Sequence, residues 1–185
     1  MEPHMSDNDK LMFYKYLDNA KYYFEFGAGG STYQASLRQN IKKIYSVESM
    51  QSWIKTINDK IQSDKIEFIF VDLKNNGLDW GYPSQLATNE DKKKYSDSIL
   101  PYTHLDCILI DGRFRVACAL KAFRVIDENC VILFDDFLDR NEYHIVLNYF
   151  EIIEKTSDNR MVALKKQNVN PPTEQLIKQY EIIPK

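Results

Sequence analysis

Short apolar and β-branched runs alternate along the chain with longer segments whose apolar positions recur at helical spacing. The runs Tyr22–Phe26, 43–47, 66–71, Cys107–Ile110 and Val131–Phe134 each predict a strand. Between them, 31–39, 51–61 and 116–126 predict helices. In the last, Ala117, Leu120, Ala122, Phe123 and Ile126 lie near one helical face. Ahead of the first strand, Ser6-Asp7-Asn8-Asp9 reads as an N-cap with an acidic first turn, leading into a helix over 11–17. Strands alternating with helices call for a parallel sheet covered on both faces. Right-handed crossovers then bring the loops that follow the strands to one edge, where ligands bind.

The alternation is interrupted once. Residues 73–102 contain Trp80, Gly81, Pro83 and Pro101 and no clear strand, so they read as an insertion near the ligand edge. After Phe134 the pattern weakens: 142–150 predicts a helix, 151–153 and 161–164 predict antiparallel strands, and Pro171-Pro172-Thr173 precedes a short final helix. No repeat or linker divides the chain, so residues 1–185 are expected to form a single domain, with 1–20 as an N-terminal helix and arm.

Composition narrows the function classes. A formal net charge of -3 argues against a nucleic-acid grip, which needs a basic stripe, and Lys92-Lys93-Lys94 reads as a solvated patch. No apolar run approaches the roughly 20 residues that span a bilayer, and MEPHMSDNDK has no basic flank before an apolar core, so neither membrane insertion nor a secretory signal is expected. Cys107, Cys118 and Cys130 form no metal-type pair and, being odd in number, fit reduced thiols and a cytoplasmic setting.

The chemistry concentrates after the strands. YYFEFGAGGST runs from a strand into glycines and then into Ser31-Thr32, a helix start, which makes a crevice suited to a nucleotide-like ligand. Glu25 precedes Gly27 and is placed to accept from an ammonium group or from the loop's own amides. Glu48 closes the second run in YSVES, where a carboxylate can take both hydroxyls of a ribose. Asp72 follows the third run and can accept from an adenine amino group, with Leu73 packing on the ring; a helix cap explains it almost as well. Asp111 ends the fourth run in CILIDGRFR, with Gly112, Arg113 and Arg115 beside it. Asp135-Asp136 ends the fifth in VILFDDF. With Asp111 this pair offers an oxygen set for Mg2+ or Mn2+, or ion pairing with Arg113, Arg115 or Arg140. His4 stands on an arm able to fold over such a site, and Trp80 is either a stacking partner or packing.

The ordered strings EFGAGG, VES, VDL, LIDG and FDDF resemble the class I S-adenosylmethionine-dependent methyltransferases over about residues 22–137. EFGAGGST, SVES, DWGYP and IDGRFRVACAL, with PHMS near the N-terminus, are similar to a small branch of that superfamily. The resemblance implies a Rossmann-like α/β fold: seven strands, mostly parallel, the last antiparallel, with helices on both faces. It implies S-adenosyl-L-methionine as cofactor, with Glu25, Phe26, Gly27, Ala28, Gly29, Ser31, Thr32, Glu48, Ser49, Asp72, Leu73, Asp111 and Gly112 around it. Asp111, Arg113 and Asp136 are the implied catalytic set. Similar domains occur fused to glycosyltransferases, including viral ones, which implies a sugar hydroxyl or other small-molecule acceptor. The setting is then the cytoplasm, of an infected host cell in the viral case, with the chain free or part of a larger glycosyltransferase-containing protein. A weaker likeness, to catechol- and caffeoyl-type O-methyltransferases, implies a divalent metal at Asp111, Asp135 and Asp136, although many of those enzymes have Asn where Asp136 stands. Two rival readings share the glycine loop: an NAD(P)-dependent oxidoreductase, for which no Tyr-x-x-x-Lys pair is evident, and a domain that binds the cofactor without turnover.

Overall fold

The computed structural model describes residues 1–61, 63–75, 77 and 80–185. Its elements are α1 (Asp7–Leu17), β1 (Tyr22–Phe26), α2 (Gly30–Ser36), β2 (Lys43–Glu48), α3 (Gln51–Asn58), β3 (Ile66–Phe70), α4 (Asn89–Asp97), β4 (Cys107–Ile110), α5 (Arg115–Val125), β5 (Val131–Phe134), a 3-10 helix (Asn141–Asn148), β6 (Phe150–Lys155), β7 (Val162–Lys166) and α6 (Glu174–Tyr180). The strands form one seven-stranded sheet in the order β3-β2-β1-β4-β5-β7-β6. The first five are parallel, and β7 runs antiparallel to both β5 and β6.

The sheet is buried on both faces, which is why its central strands read as continuous apolar runs. Alternate residues of β1 go to opposite cores. Phe24 and Phe26 join Ile108, Ile110, Ile132 and Phe134 under α4 and α5. Tyr23 joins Leu109 and Leu133 under Met12, Phe13 and Leu17 of α1. The α1 N-terminus is a capping box, with Ser6 accepting from the Asp9 amide and Asp9 reaching back to Ser6. Among the described residues no helix is long and apolar enough to cross a membrane.

Residues 73–102, read as an insertion, lie in the crossover from β3 to β4, and they carry α4. This helix is lysine- and aspartate-rich and buries only Tyr95 and Ser96, so it lacks the apolar stripe that reveals a helix in sequence. Lys93 and Lys94 lie on its solvated face, paired with Asp97 at 3.6 Å and Asp91 at 3.7 Å. The predicted helix over 142–150 is a 3-10 helix. The helices predicted over 31–39 and 51–61 both stop about three residues early, and the two final strands are longer than their apolar cores.

Candidate active site

The strand order reverses between β1 and β4, and the loops leaving these strands meet there. The Gly27 amide donates to Val47 O at 3.0 Å and the Asp111 amide to Phe26 O at 3.1 Å, which locks three strand ends together. Gly27 has φ +97, and a Cβ on it would lie 2.9 Å from the Asp111 carbonyl, so only glycine fits. Trp53 of α3 steadies the loop by donating to Ala28 O at 2.9 Å. Around this edge the backbone is unusually bent: Lys74, Trp80, Phe114 and Asp136 all have positive φ. Such conformations in non-glycine residues cluster where a site over-determines the chain.

Glu25 lies beneath the loop rather than in the crevice. It is fully buried. Its carboxylate accepts from the hydroxyls of Tyr23 at 2.9 Å, Ser31 at 2.6 Å and Ser46 at 2.7 Å, and from Thr32. Burial pushes its pKa up to about 7 against the pull of these four hydroxyls. Both oxygens are engaged, so the expected contact with an ammonium group is replaced by a structural role: Glu25 ties the start of α2 to β1 and β2. Ser31 and Thr32 are buried with it, and Thr32 Oγ1 also accepts from the Gly29 amide at 2.9 Å.

Glu48 is nearly buried, and its Oε1 accepts from the amides of Ser49 at 2.6 Å and Met50 at 2.9 Å. Its Oε2 takes the Ala28 amide at 3.3 Å. An oxygen with two strong donors has little capacity left, so Oε2 is the atom free to meet a ribose hydroxyl. Burial raises the Glu48 pKa, and the backbone donors oppose the shift. Ser49 is buried and receives the Asn75 amide group at 3.0 Å on Oγ. Asp72 is exposed and holds Lys74 at 2.6 Å. Leu73 has no face for an adenine ring because it is fully buried in the core, and Phe26 is likewise a core residue. Gly112 is buried between Phe26 and Tyr95. Asp79 of the DWGYP string lies outside the described residues.

At the ends of β4 and β5, arginines surround the acids. Arg115, almost wholly buried, donates from Nη2 to Asp111 Oδ1 at 3.0 Å and from Nη1 to Asp135 O at 2.7 Å, with Asp136 Oδ2 at 3.5 Å. Arg140 reaches Asp136 Oδ2 at 2.6 Å and Arg160 reaches Asp136 Oδ1 at 2.8 Å. Burial, with Asp111 and Asp136 beside it, pushes the Asp135 pKa up to about 8, so this residue is protonated at neutral pH. Burial also raises Asp111, and Arg115 resists the shift.

The expected metal set of Asp111, Asp135 and Asp136 is therefore corrected. Arg115, Arg140 and Arg160 pair with these acids, and both Asp136 oxygens are taken. Among the described residues no group of three His, Cys, Asp or Glu is arranged to hold a metal. The glycine loop leaves room for a ligand to approach its backbone: a Cβ built on Gly29 meets nothing within 4 Å, so the loop opens onto free space beside the residue that bonds Glu48.

Sequence reasoning missed Arg160 and Tyr82. Arg160 sits in the turn between β6 and β7, remote in sequence from the acids it pairs. Tyr82 lies under Arg113, with the guanidinium 4.4 Å from its ring centroid. The N-terminal arm crosses the start of α2, where Gly30 leaves no room for a side chain against Glu2 and Pro3. It brings the His4 ring to 5.4 Å from Trp80.

No protein-family model matches the chain, and no curated protein matches it in sequence. Solved structures do. A methyltransferase-like protein from Silicibacter pomeroyi superposes with a TM-score of 0.86 at 25% identity, covering 99% of this chain and 98% of that one. The chain has the fold of the class I methyltransferases. An O-methyltransferase from Bacillus cereus in complex with S-adenosylhomocysteine shares this fold at a TM-score of 0.58 and 13% identity, over 89% of this chain and 83% of that one. The N-terminal domain of EvdMO1, crystallised in the presence of S-adenosylhomocysteine and D-fucose, does so at 0.51 and 12%, over 90% and 85%. The crevice between Gly27–Gly30 and Asp111 lies at the edge of the sheet where β1 and β4 end.

Proposed function

We propose that the chain is an S-adenosylmethionine-dependent O-methyltransferase acting on a sugar hydroxyl, with Asp111 as proton acceptor. The observation that carries this reading is the position of Asp111: at the switch point, in backbone contact with the glycine loop, and anchored by Arg115 at 3.0 Å. The sugar rests on the resemblance to glycan methyltransferase domains; the N-terminal domain of EvdMO1, which shares this fold, was crystallised in the presence of D-fucose.

Bound S-adenosylmethionine supplies a sulfonium methyl as the electrophile. Glu48 Oε2 would hold the ribose, and the open face of Gly29 would let the chain of the ligand approach the backbone. Asp111 would take the proton of the acceptor hydroxyl as its oxygen is methylated. A carboxylate held partly out of water is a stronger base than one in solution. Arg115 keeps that carboxylate aimed and ionised, while protonated Asp135 adds no second charge.

The test is Asp111→Asn, assayed for S-adenosylhomocysteine release over a panel of mono- and oligosaccharides. Turnover should fall by roughly 100-fold or more, while calorimetric binding of S-adenosylhomocysteine changes little. Unchanged turnover removes Asp111 from the chemistry, and failure of the wild type to bind S-adenosylhomocysteine removes the cofactor reading.

A further inference from the structure

Four arginines lie along the edge that carries the acids, and three of them are engaged. Arg115, Arg140 and Arg160 each pair with at least one of Asp111, Asp135 and Asp136. Arg113, two residues beyond Asp111, pairs with no carboxylate among the described residues. Its Nε is enclosed in the protein and has no hydrogen-bond partner. Tyr82 covers one face of its guanidinium at 4.4 Å.

A buried N–H without an acceptor is costly, and a stable fold rarely leaves a cation in that state without a use. Stacking on a ring fixes the plane of a guanidinium while leaving its edge donors free to grip a carboxylate or phosphate with two parallel bonds. The surroundings add a second reason. Asp111 and Asp136 would repel an anionic acceptor, and Arg115, with three carboxyl groups around it, has no charge to spare. An acceptor with a negative substituent needs its own cation, and Arg113 is the one in reserve. The adjoining surface suits a ring: Tyr82 is partly exposed and Trp80, beside His4, is 78% exposed.

We infer that Arg113, braced on Tyr82, binds an anionic substituent of the acceptor, so the acceptor is a small ring compound bearing a carboxylate or a phosphate, with its reacting hydroxyl turned to Asp111. This rests on the O-methyltransferase reading and specifies its substrate class. Arg113 is then a specificity residue for the acceptor and takes no proton.

The experiment uses the whole chain saturated with S-adenosylhomocysteine, titrated with D-glucuronate, D-glucose 6-phosphate and D-glucose and followed by ligand-observed NMR. The wild type should bind at least one anionic sugar about tenfold or more tightly than glucose; glucuronate ahead identifies a carboxylate, the 6-phosphate ahead a phosphate. Arg113→Gln should reduce that preference to parity, and Arg113→Lys should retain part of it, since a lysine keeps the charge but loses the fork. Both variants should bind S-adenosylhomocysteine like the wild type, which reports that the fold is intact. Equal or undetectable binding of all three sugars by the wild type overturns the inference, as does an anion preference that survives Arg113→Gln. Loss of S-adenosylhomocysteine binding in the wild type would instead overturn the cofactor reading beneath it.

Discussion

Two acid clusters sit on neighbouring strand ends and are stabilised by opposite means. Glu25, at the end of β1, is surrounded by four neutral hydroxyls and no cation. Asp111 and Asp136, at the ends of β4 and β5, are held by three arginines. Hydroxyls satisfy a buried carboxyl in either protonation state, because each can donate or accept. Guanidinium groups stabilise only the ionised form and hold it in a defined direction. The first device suits a hinge that must simply stay closed under the glycine loop. The second suits a carboxylate that must remain charged and aimed while doing chemistry.

Removing the central cation should break the comparison most severely. Arg115→Leu leaves Asp111 and Asp136 without their shared buried partner, and a buried pair broken on one side typically loses about 3–5 kcal/mol. Urea unfolding at pH 7 should show that loss; a cost below about 1 kcal/mol would mean that Arg140 and Arg160 suffice alone.

The pH dependence of stability separates the clusters next. Glu25 has an ordinary value of 4.5 and a folded value of about 7, so its neutral form is the one folding favours. That stability is complete below 4.5 and is lost as pH rises through about 7, a change of about 3 kcal/mol. Asp135, raised from 3.8 to about 8, loses stability in the same direction but up to a higher pH. Glu25→Gln should therefore make the fall of the unfolding midpoint between pH 5 and 7 shallower while leaving the decline that Asp135 causes from about pH 4 to pH 8. An unchanged slope below pH 7 would show that the hydroxyls keep Glu25 ionised throughout.

The smallest effect tests the hydroxyl cradle itself. Thr32→Val removes one donor to Glu25 and the acceptor of the Gly29 amide, and about 1–2 kcal/mol should be lost. Because Thr32 also shapes the loop, binding of S-adenosylhomocysteine should weaken a few-fold, whereas the anion preference at Arg113 should not move. Titration calorimetry with the cofactor product and the NMR comparison of sugars report the two effects separately.

Much of the fold was legible because its central strands are buried on both faces. Residues 22–26, 107–110 and 131–134 have no polar alternation to blur them, and glycine or aspartate marks each end. α4 escaped notice because a helix that buries two side chains has no apolar stripe. Thr88 and Asp91, whose side chains and amides form a capping box, were its only local signal. At the site, Glu25, Glu48 and Asp111 were legible as positions but not as roles. Whether a carboxylate faces a crevice, a helix end or four hydroxyls depends on which side of the sheet it lies and what crosses it.

By itself, the sequence determined the alternation of strands and helices, the glycine turn after β1 and the acids that follow four of the next strands, because these are consequences of local periodicity and steric freedom. Only the tertiary structure decided which acids are charged and which arginine pairs with no carboxylate among the described residues. Those outcomes depend on Arg160 arriving from the β6–β7 turn, on Tyr82 lying beneath Arg113, and on the depth at which each carboxyl is buried. Pairing and desolvation act between residues far apart in sequence, so no local pattern carries them.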